Sequence, residues 1–201
     1  MTRLALVDGL PETVSINGEE VPIETDFRAW VLMEQLFFDE RVGDADRLLL
    51  ACGLVLPEGY PPSAAAYEAV CGFYLAGERK RPAGKNRRKK GAQPRAYDFG
   101  EDWGYIYAAF LQQYRIDVTD PELRMHWWKF RALMNALGEE TTMSRIIACR
   151  TRDLSKIKDR ELRQHYAELK AYYTLKTNRE SAVRNAGNLF APAPSATTGA
   201  D

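Results

Sequence analysis

The sequence predicts a mainly α-helical protein, a bundle of about six to seven helices behind a short N-terminal β-hairpin. Three observations carry this. Apolar residues recur at three- and four-residue spacing through most of the chain. Capping residues stand at the heads of those runs. Near the N-terminus, Asn17-Gly18 separates two short stretches whose apolar positions are Val14, Ile16, Val21 and Ile23, the strongest short hairpin signal because both turn residues tolerate positive φ. Pro22 cannot donate to a ladder, so the second strand is an edge or stops there.

The helices follow in order. Thr25 or Asp26 caps a run of Phe27, Trp30, Val31, Met33, Leu36 and Phe37, since their side-chain oxygens accept from free N–H groups. Asp44 or Asp46 starts a second helix through Leu48, Leu49, Leu50 and Cys52. The stretch from Pro57 to Pro62 breaks the chain. Ser63 caps a third helix carrying Tyr67, Val70, Cys71, Tyr74 and Leu75. After a charged interruption, Glu101 or Asp102 opens a helix with Trp103, Ile106, Tyr107, Phe110, Leu111 and Tyr114 on one face. Asp120-Pro121 reads as a cap and first helical residue. It would launch Leu123, Trp127, Phe130, Leu133, Met134 and Leu137, with Gly138 as the terminator. Thr141 or Thr142 begins a shorter helix with Met143, Ile146, Ile147 and Cys149, and a last one runs from about Asp159 to Tyr173.

Composition bounds the function. In 201 residues, hydrophobic residues make up 45% and the formal charge is zero, an ordinary globular balance. No stretch approaches the roughly 20 apolar residues that cross a bilayer. Leu4–Val7 is too short for a signal peptide, so a soluble, cytoplasmic protein with no membrane partner is expected. Cys52, Cys71 and Cys149 match no zinc or redox spacing and read as free, mostly buried thiols. No Gly-rich phosphate loop follows a strand. His126 and His165 have no motif around them, and paired carboxylates such as Glu139-Glu140 sit on adjacent positions that do not face each other on a helix. The expectation is a protein that is not an enzyme and has no cofactor or metal site.

The zero charge hides a segregation. Residues 1–78 hold 14 acids and 4 bases, whereas residues 79–95 hold 9 bases and no acid. The chain therefore divides into a hairpin with N-terminal helices (1–78), a flexible basic loop (79–96), C-terminal helices packing on the first half (97–176) and a disordered tail (177–201). Arg79, Lys80, Arg81, Lys85, Arg87, Arg88, Lys89 and Lys90 are candidate contacts to nucleic acid or to an acidic partner. A solvated insertion, or a tether to the acidic N-terminal half, explains them as well. The run lacks interleaved aromatics, so it is no stacking platform for single strands, and nucleic acid is not the favoured partner. In the tail, Leu189-Phe190 is the only apolar pair.

Aromatics are abundant between residues 103 and 130. Trp103, Tyr107, Phe110, Trp127, Trp128 and Phe130 are candidate protein-binding residues, because this many rings exceed what one core needs and exposed aromatics anchor interfaces. Adjacent on one helix, Trp127 and Trp128 are expected to point to different sides.

Tyr97-Asp98-Phe99-Gly100-Glu101-Asp102, Tyr105-Ile106-Tyr107-Ala108-Ala109-Phe110, His126-Trp127-Trp128-Lys129-Phe130, Ser144-Arg145-Ile146-Ile147 and Arg150-Thr151-Arg152-Asp153-Leu154 stand in this order. With them, the sequence resembles the phage gp-fifteen family of long-tailed phages and prophages of Gram-positive hosts, over about residues 10–175. The resemblance implies a tail-assembly chaperone. Such a protein coats the long helical tape-measure protein, keeps it soluble, recruits tail-tube subunits and leaves the finished virion. It implies the tape-measure and tail-tube proteins as partners, self-association, and no catalytic residues. Gly100 and Gly104 flank Trp103, and glycine weakens a helix start by about 1 kcal/mol each, so the helix there is expected to begin late. Two other functions remain open: a nucleic-acid-binding phage protein acting through the basic loop, and a permanent structural tail component.

Overall fold

A computed structural model of the protein describes residues 5–76 and 95–176. Among them the chain forms one antiparallel hairpin and eight α-helices. A single helical turn, α1 (Ala5–Asp8), precedes strands β1 (Thr13–Ile16) and β2 (Glu19–Pro22). Then come α2 (Phe27–Phe38), α3 (Asp44–Val55), α4 (Ala64–Tyr74), α5 (Trp103–Tyr114), α6 (Trp127–Asn135), α7 (Thr142–Thr151) and α8 (Arg160–Tyr172). A 3-10 turn at Leu154–Lys156 links the last two. This is the mainly helical architecture with an N-terminal hairpin that the periodicity predicts. The basic run from Arg79 to Lys90 and the tail with Leu189-Phe190 lie outside the described residues.

Local chemistry sets most boundaries. Asn17 and Gly18 take φ of 53° and 88°, the left-handed pair that a two-residue turn needs to match strand twist. Val14 then faces Val21, and both are buried with Ile16. The Asp26 carboxylate accepts from Arg28 N–H at 3.0 Å, Ser63 Oγ from Ala66 N–H at 3.1 Å, Thr141 Oγ1 from Ser144 N–H at 3.3 Å and Asp159 from Leu162 N–H at 2.7 Å. The first three are predicted caps in place, and Asp159 caps the last helix where the sequence starts it. Helix α3 starts at Asp44 behind Gly43, without a side-chain cap, and α5 begins only at Trp103.

One helix start departs from expectation. Asp120-Pro121 does not launch α6. It forms a turn in which Glu122 N–H donates to Asp120 Oδ1 at 2.9 Å, and the helix waits until Trp127. The reason is tertiary. Met125 and His126 are drawn out to pair with residues 25–27: Phe27 N–H donates to Met125 C=O at 2.9 Å and Trp127 N–H to Thr25 C=O at 2.7 Å. Asp26 and His126, the N-caps of α2 and α6, thus form an antiparallel bridge. At the other end of α6, Gly138 is not the terminator: α6 stops at Asn135, and Gly138 N–H donates to Gln113 Oε1 on α5 at 2.8 Å.

A continuous aromatic core holds the halves together. Phe27 stacks on Phe130 at 4.6 Å between centroids, and Phe130 on Phe110 at 5.0 Å. Trp30 stacks on Phe73 at 4.9 Å, and Tyr74 lies against Trp127 at 5.5 Å. Residues from α2, α4, α5 and α6 therefore share one cluster. Cys52 and Cys149 are buried free thiols, and burial pushes both thiols up.

A chain of buried charges runs beside this core. Tyr74 OH donates to Glu34 Oε2 at 2.7 Å, and the Arg95 guanidinium lies 3.5 Å from Glu34 Oε1 and 2.7 Å from Asp98. Asp98 N–H donates to Asp102 at 2.9 Å. Arg150 forks onto both oxygens of Asp102 at 2.6 and 2.9 Å and also donates to the carbonyls of Ala96 and Tyr173. Buried charges of this kind persist only when each is paired and hydrogen-bonded. Burial pushes the Glu34 carboxyl up, against the opposing pull of Tyr74 and Arg95. Burial, with Glu34 nearby, pushes Tyr97 up to about 12.

Two outcomes test this chain. Replacing Arg150 by Met leaves Asp102 buried and uncompensated, so R150M should lower urea-unfolding stability by about 3–5 kcal/mol. The double variant R150M/D102L should recover much of that loss. For Tyr74→Phe the loss should be about 1–3 kcal/mol at pH 7, where the Glu34 carboxylate loses a donor. The sign with pH follows from the raised Glu34 pKa. The folded state holds that proton more tightly, so Glu34's contribution to stability is greatest below its ordinary value of 4.5 and declines as pH rises. The gap between wild type and Y74F in urea midpoint should therefore be wider at pH 7 than at pH 4.

Candidate protein-binding surface

The six aromatics singled out by sequence divide sharply. Trp127, Phe110 and Phe130 are core residues, each no more than 2% exposed, and are unavailable to a partner. They sit on the inward faces of α5 and α6, where helical spacing turns them onto Phe27 and Trp30. Trp128 is half-buried. The two adjacent tryptophans leave α6 in different directions, Trp127 into the core and Trp128 to its edge, yet both reach the end of α4. Trp127 Nε1–H donates to Tyr74 C=O and Trp128 Nε1–H to Phe73 C=O, each at 2.9 Å. Arg131 adds a second donor to the Tyr74 carbonyl at 2.9 Å. These carbonyls close α4, and a helix C-terminus leaves its last carbonyls without helical partners. A cation there also suits the negative end of the helix dipole. The paired indoles and the arginine are thus a cap supplied by another helix.

His126 explains the arrival angle of α6. Its Nδ1 accepts from Trp128 N–H at 3.0 Å, which leaves Nε2 protonated to donate to Pro11 C=O at 2.9 Å. The ring caps α6 and ties it to the segment before the hairpin, a structural task.

What remains exposed lies on α5. Trp103 is 63% exposed and Leu111 38%; Tyr107 between them is half-buried, and Gly104 and Ala108 are exposed. Residues at i, i+1, i+4, i+5 and i+8 share one helical face. This face carries no charge and runs from Trp103 to Leu111 of the 12-residue helix, roughly 12 Å at 1.5 Å per residue. Its inner counterpart, Ile106, Ala109 and Phe110, is buried, so the helix is apolar nearly all round with only half of it covered. A Cβ built on Gly104 meets nothing within 4 Å. The middle of the strip is therefore a shallow saddle between Trp103, Tyr107 and Leu111. The strip is rigidly mounted. Gln113 Nε2–H donates to Ala136 C=O at 3.0 Å and Tyr114 OH to Leu133 C=O at 2.9 Å.

A second apolar edge lies next to its head. Helix α8 has no buried residue, and Leu162 and Tyr172 are exposed. Its far end is pinned by the buried Leu175 and by Lys176 N–H, which donates to the Glu101 carboxylate at 3.0 and 3.1 Å. Glu101 stands two residues before Trp103, so α8 ends beside the start of the strip. Sequence periodicity placed Trp103, Tyr107, Phe110 and Leu111 on one face. The structure splits them, and the signal that separates them is the small pair Gly104 and Ala108 beside the outward residues.

The sequence model of the bacteriophage Gp15 protein family matches residues 6–175. This chain belongs to that family. The match spans the hairpin, the aromatic core, the charge chain and both exposed edges, so in this Gp15 protein core and strip fall within one family unit. No curated protein and no solved structure matches the chain. Among the described residues no cluster of His, Cys, Asp and Glu is arranged to hold a metal ion. No described helix is long and apolar enough to cross a membrane.

The division between core and strip is measurable. Trp127→Ala should lower stability by about 3–5 kcal/mol, the usual cost of emptying a buried aromatic site. Trp103→Ala should change it by no more than about 0.5 kcal/mol, as exposed positions do. Urea denaturation followed by far-UV circular dichroism reads both.

Proposed function

We propose that this Gp15 protein is a phage tail-assembly chaperone that binds the tape-measure protein, keeps it soluble and helps recruit tail-tube subunits. The observation that carries the reading is the apolar outer face of α5, from Trp103 to Leu111, on a protein whose core takes Phe27, Trp30, Phe73, Phe110, Trp127 and Phe130. A contiguous exposed apolar strip on a folded domain marks an interaction site. A tape-measure chain of long amphipathic helix presents the complementary surface, and helix-in-groove docking joins the two through anchors spaced at i, i+4 and i+8. The saddle at Gly104 and Ala108 lets a partner helix approach the backbone closely, while Trp103 and Leu111 cover its sides. In this reading the protein acts by binding, without a chemical step, in the host cytoplasm during assembly. Self-association through the same exposed edges keeps it soluble until the tape measure is made.

Co-expression with the tape-measure protein of the same phage, followed by solubility assay and size-exclusion chromatography, tests the proposal. The tape measure should be soluble and co-elute only when this protein is present. Trp103→Ala/Leu111→Ala should abolish co-elution while keeping its own urea midpoint. A tape measure that stays insoluble beside the wild-type protein overturns the function; a double variant that rescues it fully overturns the α5 face as the site.

A further inference from the structure

A groove of about 460 Å3 opens between the exit of the hairpin and the end of α3, within the roughly 300–1,000 Å3 range of binding pockets. Its base is apolar, since Ile23, Val55 and Leu56 are buried beneath it and Leu54 is half-buried, while the surface it offers is mixed, somewhat more polar than apolar. Glu12 and Glu24 line it as well, and both are exposed. The walls are stiff. Ile23 N–H donates to Glu12 C=O at 3.0 Å, and Glu24 N–H to Val55 C=O at 2.8 Å. Pro22 and Pro57 on the rim have no N–H to offer. The groove therefore presents side chains rather than an open strand edge.

The charge on the rim is set in place. Glu24 Oε1 accepts from Thr25 N–H at 2.7 Å and Asp26 N–H at 2.8 Å, which holds the carboxylate at the mouth. Residues 5–76 carry thirteen acids against three bases. Those bases are engaged elsewhere: Arg28 with Asp26, Arg41 with Asp39 and Arg47 with Asp44. A negative rim thus surrounds a mixed floor with an apolar base, and fields of this kind attract and orient cations.

We infer that this groove docks an extended segment of another protein in which Lys or Arg stands beside aliphatic residues. Charge complementarity commits the occupant. A cationic head group reaches Glu12 and Glu24 while its hydrocarbon stem and the neighbouring apolar side chain cover Ile23, Leu54 and Leu56. An acidic segment is repelled, and a purely apolar one leaves the carboxylates without a partner. The site is separate from the α5 strip and does not depend on the tape-measure reading.

The test uses the full chain and a fluorescein-labelled peptide alternating arginine and leucine, with a glutamate-leucine peptide as comparison. Anisotropy should show binding of the first only, weakening as salt is raised. Glu12→Gln/Glu24→Gln keeps an oxygen for the Thr25 and Asp26 N–H groups and should bind roughly tenfold more weakly. Asp46→Asn/Glu68→Gln removes the same charge from exposed positions outside the groove and should bind as the wild type does. Absence of binding, or an equal loss in both double variants, overturns the site. Tighter probe binding after the bases of residues 79–90 are replaced by glutamine overturns the assignment to another protein, because the chain's own basic run would then be the occupant.

Discussion

The fold depends on pairing charges that it buries. Glu34, Asp98, Asp102 and Arg150 are each at most 9% exposed, and a lone buried charge costs several kcal/mol. None finds its main ionic partner within its own helix. Glu34 on α2 meets Tyr74 at the end of α4 and Arg95 ahead of α5, and Asp102 at the head of α5 meets Arg150 on α7. Asp98 pairs locally with Arg95, but the Glu34 and Asp102 pairings are satisfied only when several helices have docked together. The network therefore selects one arrangement of a bundle whose apolar faces, taken alone, would accept others. It also brings together Tyr74 and Arg95, which flank residues 77–94, so the two halves of the chain meet through Glu34 whatever lies between them.

Beside that chain, donors are shared across helix ends. Trp127, Trp128 and Arg131 give α6 a second task beyond packing, since they satisfy carbonyls at the end of α4. This arrangement explains why an aromatic-rich segment does not produce an aromatic-rich surface. Rings with an N–H are placed where a buried carbonyl needs a donor, and rings without one stack in the centre. Trp103 is the first residue of α5, 63% exposed, and has no such duty. Its exposure therefore stands out as a surface feature rather than as overflow from the core.

The two surfaces differ in the partners they suit. The α5 strip is apolar, and the helix proposed for it would dock on that chemistry. The groove near Glu24 is open with an acidic rim, and the segment proposed for it is cationic. They draw on different parts of the sequence composition, one on the aromatics after residue 100 and the other on the acid excess before residue 77. The charge segregation visible along the chain is thus expressed as a surface property of the folded N-terminal half.

Much of the secondary structure was legible because it rests on local chemistry. Asp26, Ser63, Thr141 and Asp159 cap helices through contacts two or three residues away, and Asn17-Gly18 turns the chain on backbone sterics alone. The failures fall where distant residues compete. Asp120-Pro121 carries a sound helix start, yet Met125 and His126 are held extended by residues 25–27, and Gly138 is claimed by Gln113 before it can end α6. The aromatic candidates were identifiable as a group but not individually. A 3.6-residue period says which rings share a helix face, whereas whether that face meets the core or the solvent is decided by the other helices. By itself, then, the sequence determined the helices, the hairpin and the family to which the chain belongs, because these depend on residues near one another or on their linear order. Only the tertiary structure decided which charges are buried together and which of Trp103 and Trp127 reaches the surface. Those outcomes depend on contacts between residues up to tens of positions apart, which no local pattern encodes.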